Sequence, residues 1–206
     1  ILGFVNGMDL AIQNNVTLFS GGHVLVSGYT ASQSGRLQNR FADDTVVKIV
    51  ESSKADILTV SPIAQSRATV VFGTREIQLM LRGVDWSRDR LYHESLILTE
   101  GDWKGLEDSR TMLMSGQTAN RFGLAAGDRV IVRLSTASGQ QNVTDYKVVA
   151  IYDDGAAGGM NTALVAFGAL ATDLNMRSNE QQQIAVFLKN SAAAEEAAQT
   201  ITVGLS

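Results

Sequence analysis

The chain has 206 residues, 45% hydrophobic and 18% charged, with a net charge of −4 and no cysteine, so it is long enough to bury a core without disulfide or metal staples. Its basic residues stand singly along the sequence, as at Arg36, Arg40, Lys48, Lys54, Arg67 and Arg75, which leaves no clustered stripe for nucleic acid or an anionic membrane surface. The longest apolar run, Ala163 to Ala171, spans nine residues including Gly168, far short of the ~20 needed to cross a bilayer. The N-terminus also lacks the charged start and small-residue cleavage site of a signal peptide. Ile1-Leu2-Gly3-Phe4-Val5 opens without an initiator methionine, and Ile201 to Ser206 ends without a polar tail. Both ends are expected to be cuts, either from a longer chain whose flanks cross a membrane or from a processed or trimmed soluble protein.

Met8, Ile12, Val16 and Phe19 recur at helical spacing, so Asn6 to Phe19 predicts an amphipathic helix that Ser20-Gly21-Gly22 ends. His23 to Gly28 predicts a strand and Tyr29 to Arg40 a loop. Asp43 or Asp44 would cap a helix from Thr45 to Ser52. Ala55 to Ala64 reads as a strand in which Pro62, the only proline, marks an edge or bend because it cannot donate to a ladder. Two further strands, Ala68 to Phe72 and Glu76 to Leu81, are joined through Gly73-Thr74-Arg75 as a hairpin. Ser87 to Glu94 predicts a short helix or irregular segment.

Downstream, Thr111 to Met114 predicts a strand and Gly116 to Phe122 a helix stopped by Gly123 as a left-handed cap. Val130 to Leu134 and Val143 to Ile151 form the arms of a long hairpin across the polar turn Ser135 to Asn142. The glycine-rich stretch from Asp153 to Gly159 marks a boundary. Strand Thr162 to Ala166, helix Phe167 to Leu174, strand Gln183 to Leu188 and a helix from about Ser191 to Val203 complete the chain. Strand and helix alternate at both ends around a β-rich middle, which predicts an α+β fold: one lobe built from residues 1–66 and 156–206, with a smaller β-rich lobe, 67–155, inserted into it.

Chemistry-bearing patterns are sparse. There is no G-x-S-x-G elbow, no cysteine and only two histidines, His23 and His93, so hydrolase chemistry is poorly supplied. His23 is expected to be half-buried and bonded to backbone, and His93-Glu94 lacks the neighbours that would complete a zinc site. The pairs Asp43-Asp44 and Asp153-Asp154 fall in turns, where capping and solvation explain them. Gly123 to Asp128 lacks the Lys-Ser/Thr of a phosphate-binding loop. No catalytic residue, metal site or cofactor is expected. Trp86 and Trp103 lie in turn-rich segments beside charge, as either surface anchors or covers for the edge of a β-core. With the turn residues Ser138, Gly139 and Gln140 they are the candidate interaction residues.

The order of segments resembles a known family. Gly7-Met8 opening a helix, Gly22-His23-Val24-Leu25-Val26, the step Leu81-Arg82-Gly83-Val84-Asp85, the run from Met112 to Val130 and Val148 to Gly155 resemble, in order, extracytoplasmic domains of ABC-transporter permeases of the MacB, LolC/LolE and FtsX type. The resemblance covers nearly the whole chain. It implies a porter-like lobe from both chain ends and an inserted sabre-like lobe, no catalysis, and location on the periplasmic face of the cytoplasmic membrane. The partners implied are a second permease subunit in a homo- or heterodimer, a cytoplasmic ATPase reached through transmembrane helices, and a lipoprotein or periplasmic protein; no nucleic acid is implied. The function implied is coupling of ATP hydrolysis to lipoprotein release or efflux. LolC-type domains recruit a carrier through an extended hook, whereas Ser135 to Asn142 is short and has no proline or large apolar residue, which favours a LolE-like or general efflux permease. From the residues alone, a free-standing secreted binding or adhesion module is the alternative.

Overall fold

The computed structural model describes residues 19, 21–31, 35, 37–42, 44–52, 56–108, 110–136, 138–154 and 161–205. The elements are, in chain order, β1 (Val24–Ser27), β2 (Thr30–Ala31), β3 (Leu37–Gln38), β4 (Phe41–Ala42), α1 (Asp44–Ser52), β5 (Ile57–Phe72), β6 (Arg75–Val84), α2 (Arg90–Ser95), β7 (Leu98–Gly101), β8 (Thr111–Ser115), α3 (Gly116–Phe122), β9 (Arg129–Ser135), β10 (Gln141–Tyr152), β11 (Thr162–Ala166), α4 (Phe167–Asp173), β12 (Glu180–Gln181), β13 (Gln183–Leu188) and α5 (Ala194–Leu205), with 3-10 turns at Trp103–Glu107 and Ser191–Ala193. The architecture is α+β, as the sequence pattern predicts. The helix expected from Asn6 lies outside the described residues except for Phe19, as does Asp43.

Six strands close on themselves. β5 pairs with β6, β6 with β11, β11 with β8, β8 with β10, β10 with β9, and β9 returns to β5. Closure removes the unpaired edges that an open sheet would expose, and a ring this small must fill its interior with side chains. Alternate residues supply them: Ala68 and Val70, Leu79 and Leu81, Met112 and Met114, Val130, Val132 and Leu134, Tyr146 and Val148, and Ala163 and Val165 are all buried in one cluster. This alternation is the period-2 signature of strands with one face inward. A register shift between Val148 and Ala150 breaks it in β10. The bulge leaves Ile151 in the ring cluster while Ala150 and Tyr152 join a second cluster outside it.

β5 is one strand of 16 residues, where sequence punctuation predicts two separated near Gln65. Its first half, Ile57 to Ile63, pairs with β13, and β13 pairs with β1, making a short open antiparallel sheet. Its second half belongs to the ring. Pro62 stands in the half paired on one side only, where a missing N–H breaks no ladder. α1 and α5 cover the open sheet, burying Val50, Ala197 and Ile201 against Val60, Ile184, Val186 and Leu188. The first and last described helices therefore share one face. β11 and α4, which follow the glycine-rich boundary and are expected with the chain ends, take their pairings and burial in the ring instead. The cause is the parallel register of β11 on β6, from Thr162 opposite Met80 to Ala166 opposite Val84.

Two glycines do specific work. Gly123 takes φ 68 and ψ 37 at the end of α3, the left-handed cap expected from sequence. A Cβ on Gly83 would sit 3.0 Å from the Cα of Phe167, so the absence of a side chain lets the start of α4 settle against β6.

A buried ionic group fastens α4 to the ring. Asp173, 2% exposed, accepts two bonds from the Arg110 guanidinium at 2.9 and 3.1 Å and one from the Tyr146 hydroxyl at 2.6 Å. The Asn142 amide donates to the Asp173 carbonyl at 2.8 Å. Burial and the neighbouring Asp173 carboxylate raise the Tyr146 pKa, and the bond to Asp173 raises that of Arg110. Removing one partner strands a buried carboxylate. Because the Arg110 side chain is 42% exposed and Tyr146 still donates to Asp173, Arg110→Ala is expected to lower the free energy of unfolding by about 1–2 kcal/mol, with part of the loss recovered by adding Asp173→Asn; urea denaturation of the three proteins measures both effects.

Candidate interaction site

The ring and the open sheet meet where β5 changes partners, and polar side chains are buried there. Ser61 on β5 donates from its hydroxyl to the Asp89 carboxylate, and both residues are nearly inaccessible. Arg82 on β6, 6% exposed, donates to the carbonyl of Phe19 at 2.7 Å and also bonds to the side chain of Tyr92. Asp85 makes the turn after β6, accepting from the Ser87 amide at 3.1 Å and hydroxyl at 2.6 Å. Burial pushes the Asp89 carboxyl up to about 6; the Ser61 bond opposes the shift, and the charge of Asp85 adds to it. Burial likewise pushes Tyr92 up to about 12.

Around this polar knot stands a set of aromatic rings. Phe19 stacks on Tyr152 with centroids 6.0 Å apart and meets Tyr92 edge-on at 6.3 Å. Trp86 lies edge-on to Tyr92 at 6.0 Å, to His93 at 6.1 Å and to Trp103 at 6.3 Å, and the His93 ring lies 4.1 Å from Trp103. The two tryptophans, 17 positions apart in sequence, are thus brought together, each half-buried over the second core cluster. Asp102 positions Trp103 by capping its 3-10 turn, accepting from the amides of Lys104 and Gly105. The indole N–H of Trp86 is buried and has no hydrogen-bond partner among the described residues.

Ser138, Gly139 and Gln140 are exposed at the tip of the β9–β10 hairpin. The turn is tighter than the expected Ser135 to Asn142, because Ser135 pairs with Gln141 and Thr136 bonds to both Gly139 and Gln140. At ~3.3 Å per residue, β10 separates this tip from the tryptophan end by about 30 Å. The structure therefore does not unite the five candidate residues in one site. His23 behaves as expected: it is half-buried, its Nδ1 accepts from the amide of Leu188 at 2.9 Å, and burial lowers its pKa. Among the described residues no group of three or more His, Asp or Glu could hold a metal ion, and no helix is long and apolar enough to cross a membrane.

Arg82, Asp89, Ser61, Arg110, Asp173 and Tyr146 are the residues that sequence reasoning passed over. The one available signal was Arg82, a charge inside the apolar run from Leu79 to Val84. The others look like ordinary surface residues until their burial is known.

A family model described as the MacB-like periplasmic core domain matches residues 1–203. The chain belongs to that family. No curated protein matches it. Among solved structures, the periplasmic region of MacB from Actinobacillus actinomycetemcomitans aligns with a TM-score of 0.56 at 14% identity, over 88% of this chain and 82% of that one. The extracellular domain of the noncanonic ABC-type transporter YknZ from Gram-positive bacteria aligns at 0.54 and 15%, over 84% and 88%. At such identities the likeness is one of fold. This MacB-like domain is accordingly an extracytoplasmic part of a transporter permease.

The junction makes a pH prediction for the domain. Because the folded pKa of Asp89, about 6, lies above its ordinary 3.8, the fold favours the protonated acid. That contribution is whole below pH 3.8 and is lost as pH rises through 6, a change of about 3 kcal/mol. Asp89→Asn is expected to abolish this slope and to melt higher than wild type at pH 8 but not at pH 4, as thermal denaturation across that range would show.

Proposed function

We propose that this domain is the moving extracytoplasmic part of its permease, carried by transmembrane helices when a cytoplasmic ATPase subunit or domain hydrolyses ATP, and that it pushes or hands over a substrate in lipoprotein release or efflux. The observation that carries the reading is the 16-residue β5, read together with the family match. One uninterrupted strand belongs to the open sheet under α1 and α5 and to the closed ring. A push delivered to the sheet reaches the ring without passing through a loop, since bending β5 would break ladders on both sides.

In this reading the open sheet with its two helices is the porter-like lobe, next to the membrane, and the ring is the sabre-like lobe that reaches outward. The division falls inside β5 near residue 66, and β11 and α4 travel with the ring. A second permease subunit, identical or homologous, faces the domain. Trp86 with Trp103 at one end of the ring, and Ser138, Gly139 and Gln140 at the other, are the contact points for that subunit or for a lipoprotein or periplasmic partner. The short hairpin tip fits a permease that does not recruit a carrier by an extended hook.

These 206 residues contain no cysteine, so Ser138→Cys adds one thiol to the domain and carries a single spin label in an intact permease whose other cysteines have been replaced, reconstituted with its ATPase. The distance distribution between the labelled permease subunits is expected to shift between the nucleotide-free and vanadate-trapped states by more than its resting width. An unchanged distribution during active hydrolysis would sink the mechanical reading.

A further inference from the structure

We infer that the outer wall of the ring carries a binding cleft for a small anionic amphiphile, an oxyanion head joined to an apolar body. A cleft of about 500 Å³ opens on the outward face of β5 and β6, within the size range of small-molecule sites. Phe19 and Met80 provide apolar wall, Gln65, Gln78 and Asn161 provide amides, and Arg67 and Arg82 provide charge. A neighbouring hollow of about 480 Å³ shares Arg67 and Gln78 and adds Arg133. Among the described residues no aspartate or glutamate lines either, although the chain carries 21 acids against 17 bases and Arg133 pairs with Glu76 beside the second hollow. Arginines that stand singly in the sequence are gathered by strand register: Arg67 lies opposite Met80, Gln65 opposite Arg82, and Thr69 opposite both Gln78 and Arg133.

The two cleft arginines are poorly matched by protein groups. Arg67 is exposed and makes no ion pair among the described residues, and Arg82, 6% exposed, bonds to the neutral carbonyl of Phe19 at 2.7 Å and to the side chain of Tyr92, with the Asp89 carboxylate acting on it through charge. A guanidinium this far out of water whose directly bonded partners are the carbonyl of Phe19 and the side chain of Tyr92 is favoured by a further anion, and its planar fork matches the paired oxygens of a carboxylate or phosphate. An oxyanion between Arg67 and Arg82 would leave an attached apolar body against Met80 and Phe19. The volume fits a small molecule and not a protein segment. The inference concerns ligand chemistry and stands whether or not the domain moves as proposed above.

Calorimetric titration of the 206-residue chain with dodecyl phosphate, held below its critical micelle concentration, tests this. One saturable site is expected, weakened about tenfold or more by Arg67→Glu and by a tenfold rise in salt. Inorganic phosphate and neutral dodecyl maltoside should each bind at least about tenfold more weakly, since head and tail are both required. Arg67 is exposed, so its variant should keep the wild-type melting temperature; Gln78→Ala provides a second probe of the cleft, with a smaller loss expected. The inference is overturned by absence of saturable binding, by undiminished affinity in a folded Arg67→Glu protein, or by equal binding of dodecyl maltoside. Phosphate alone binding as tightly as dodecyl phosphate overturns it too, because the apolar wall would then contribute nothing.

Discussion

Everything in this domain hangs on β5 having to satisfy two structures at once. Its first half completes an antiparallel sheet with β13, and its second half is clasped between β6 and β9. From Ala68 to Val71 it has a strand on either side, so backbone groups there are satisfied without water. Register follows from the same constraint. Sliding β5 by one residue would carry Ala68 and Val70 out of the ring and bring Arg67 and Thr69 in, a reversal that the buried interior forbids.

With the ring closed, the costly groups fall at its seams. Asp173 lies where α4 meets β10, and Asp89 and Ser61 lie where ring and open sheet join. Buried charges of this kind contribute little net stability compared with apolar packing, yet they penalise any arrangement that leaves one unpaired. A third pair, Arg40 with the buried Glu180 at 3.1 Å, ties the segment bearing β4 to the segment bearing β12. These links join parts of the chain that are distant in sequence.

The aromatic group at the junction has a different character. Phe19, the residue nearest the N-terminal segment to be described, reaches Tyr92 and Tyr152 through its ring and Arg82 through its carbonyl. Phe19 is thus in contact with β6, α2 and the end of β10 together. Phe19 therefore touches both the polar knot around Arg82 and the wall on which the proposed cleft lies.

Local features were legible from the amino-acid order. β11 and β13 match their predicted spans, Gly123 caps α3 as a glycine followed by Leu-Ala-Ala-Gly should, and the hairpin of β9 and β10 announces itself by alternation around a polar turn. The order of motifs was enough to recognise the family, because such motifs record turns and caps fixed by neighbours a few residues away. What the sequence could not disclose was which strands would meet. β5 reads as two strands since Pro62, Gln65 and Ser66 punctuate it locally, and only pairing with β13, β6 and β9 holds it straight. The burial of Arg82, Asp89 and Asp173, the meeting of Trp86 with Trp103, and the gathering of Arg67, Arg82 and Arg133 on one wall all depend on ring closure. These contacts join positions many residues apart, and no periodicity within a single segment encodes them.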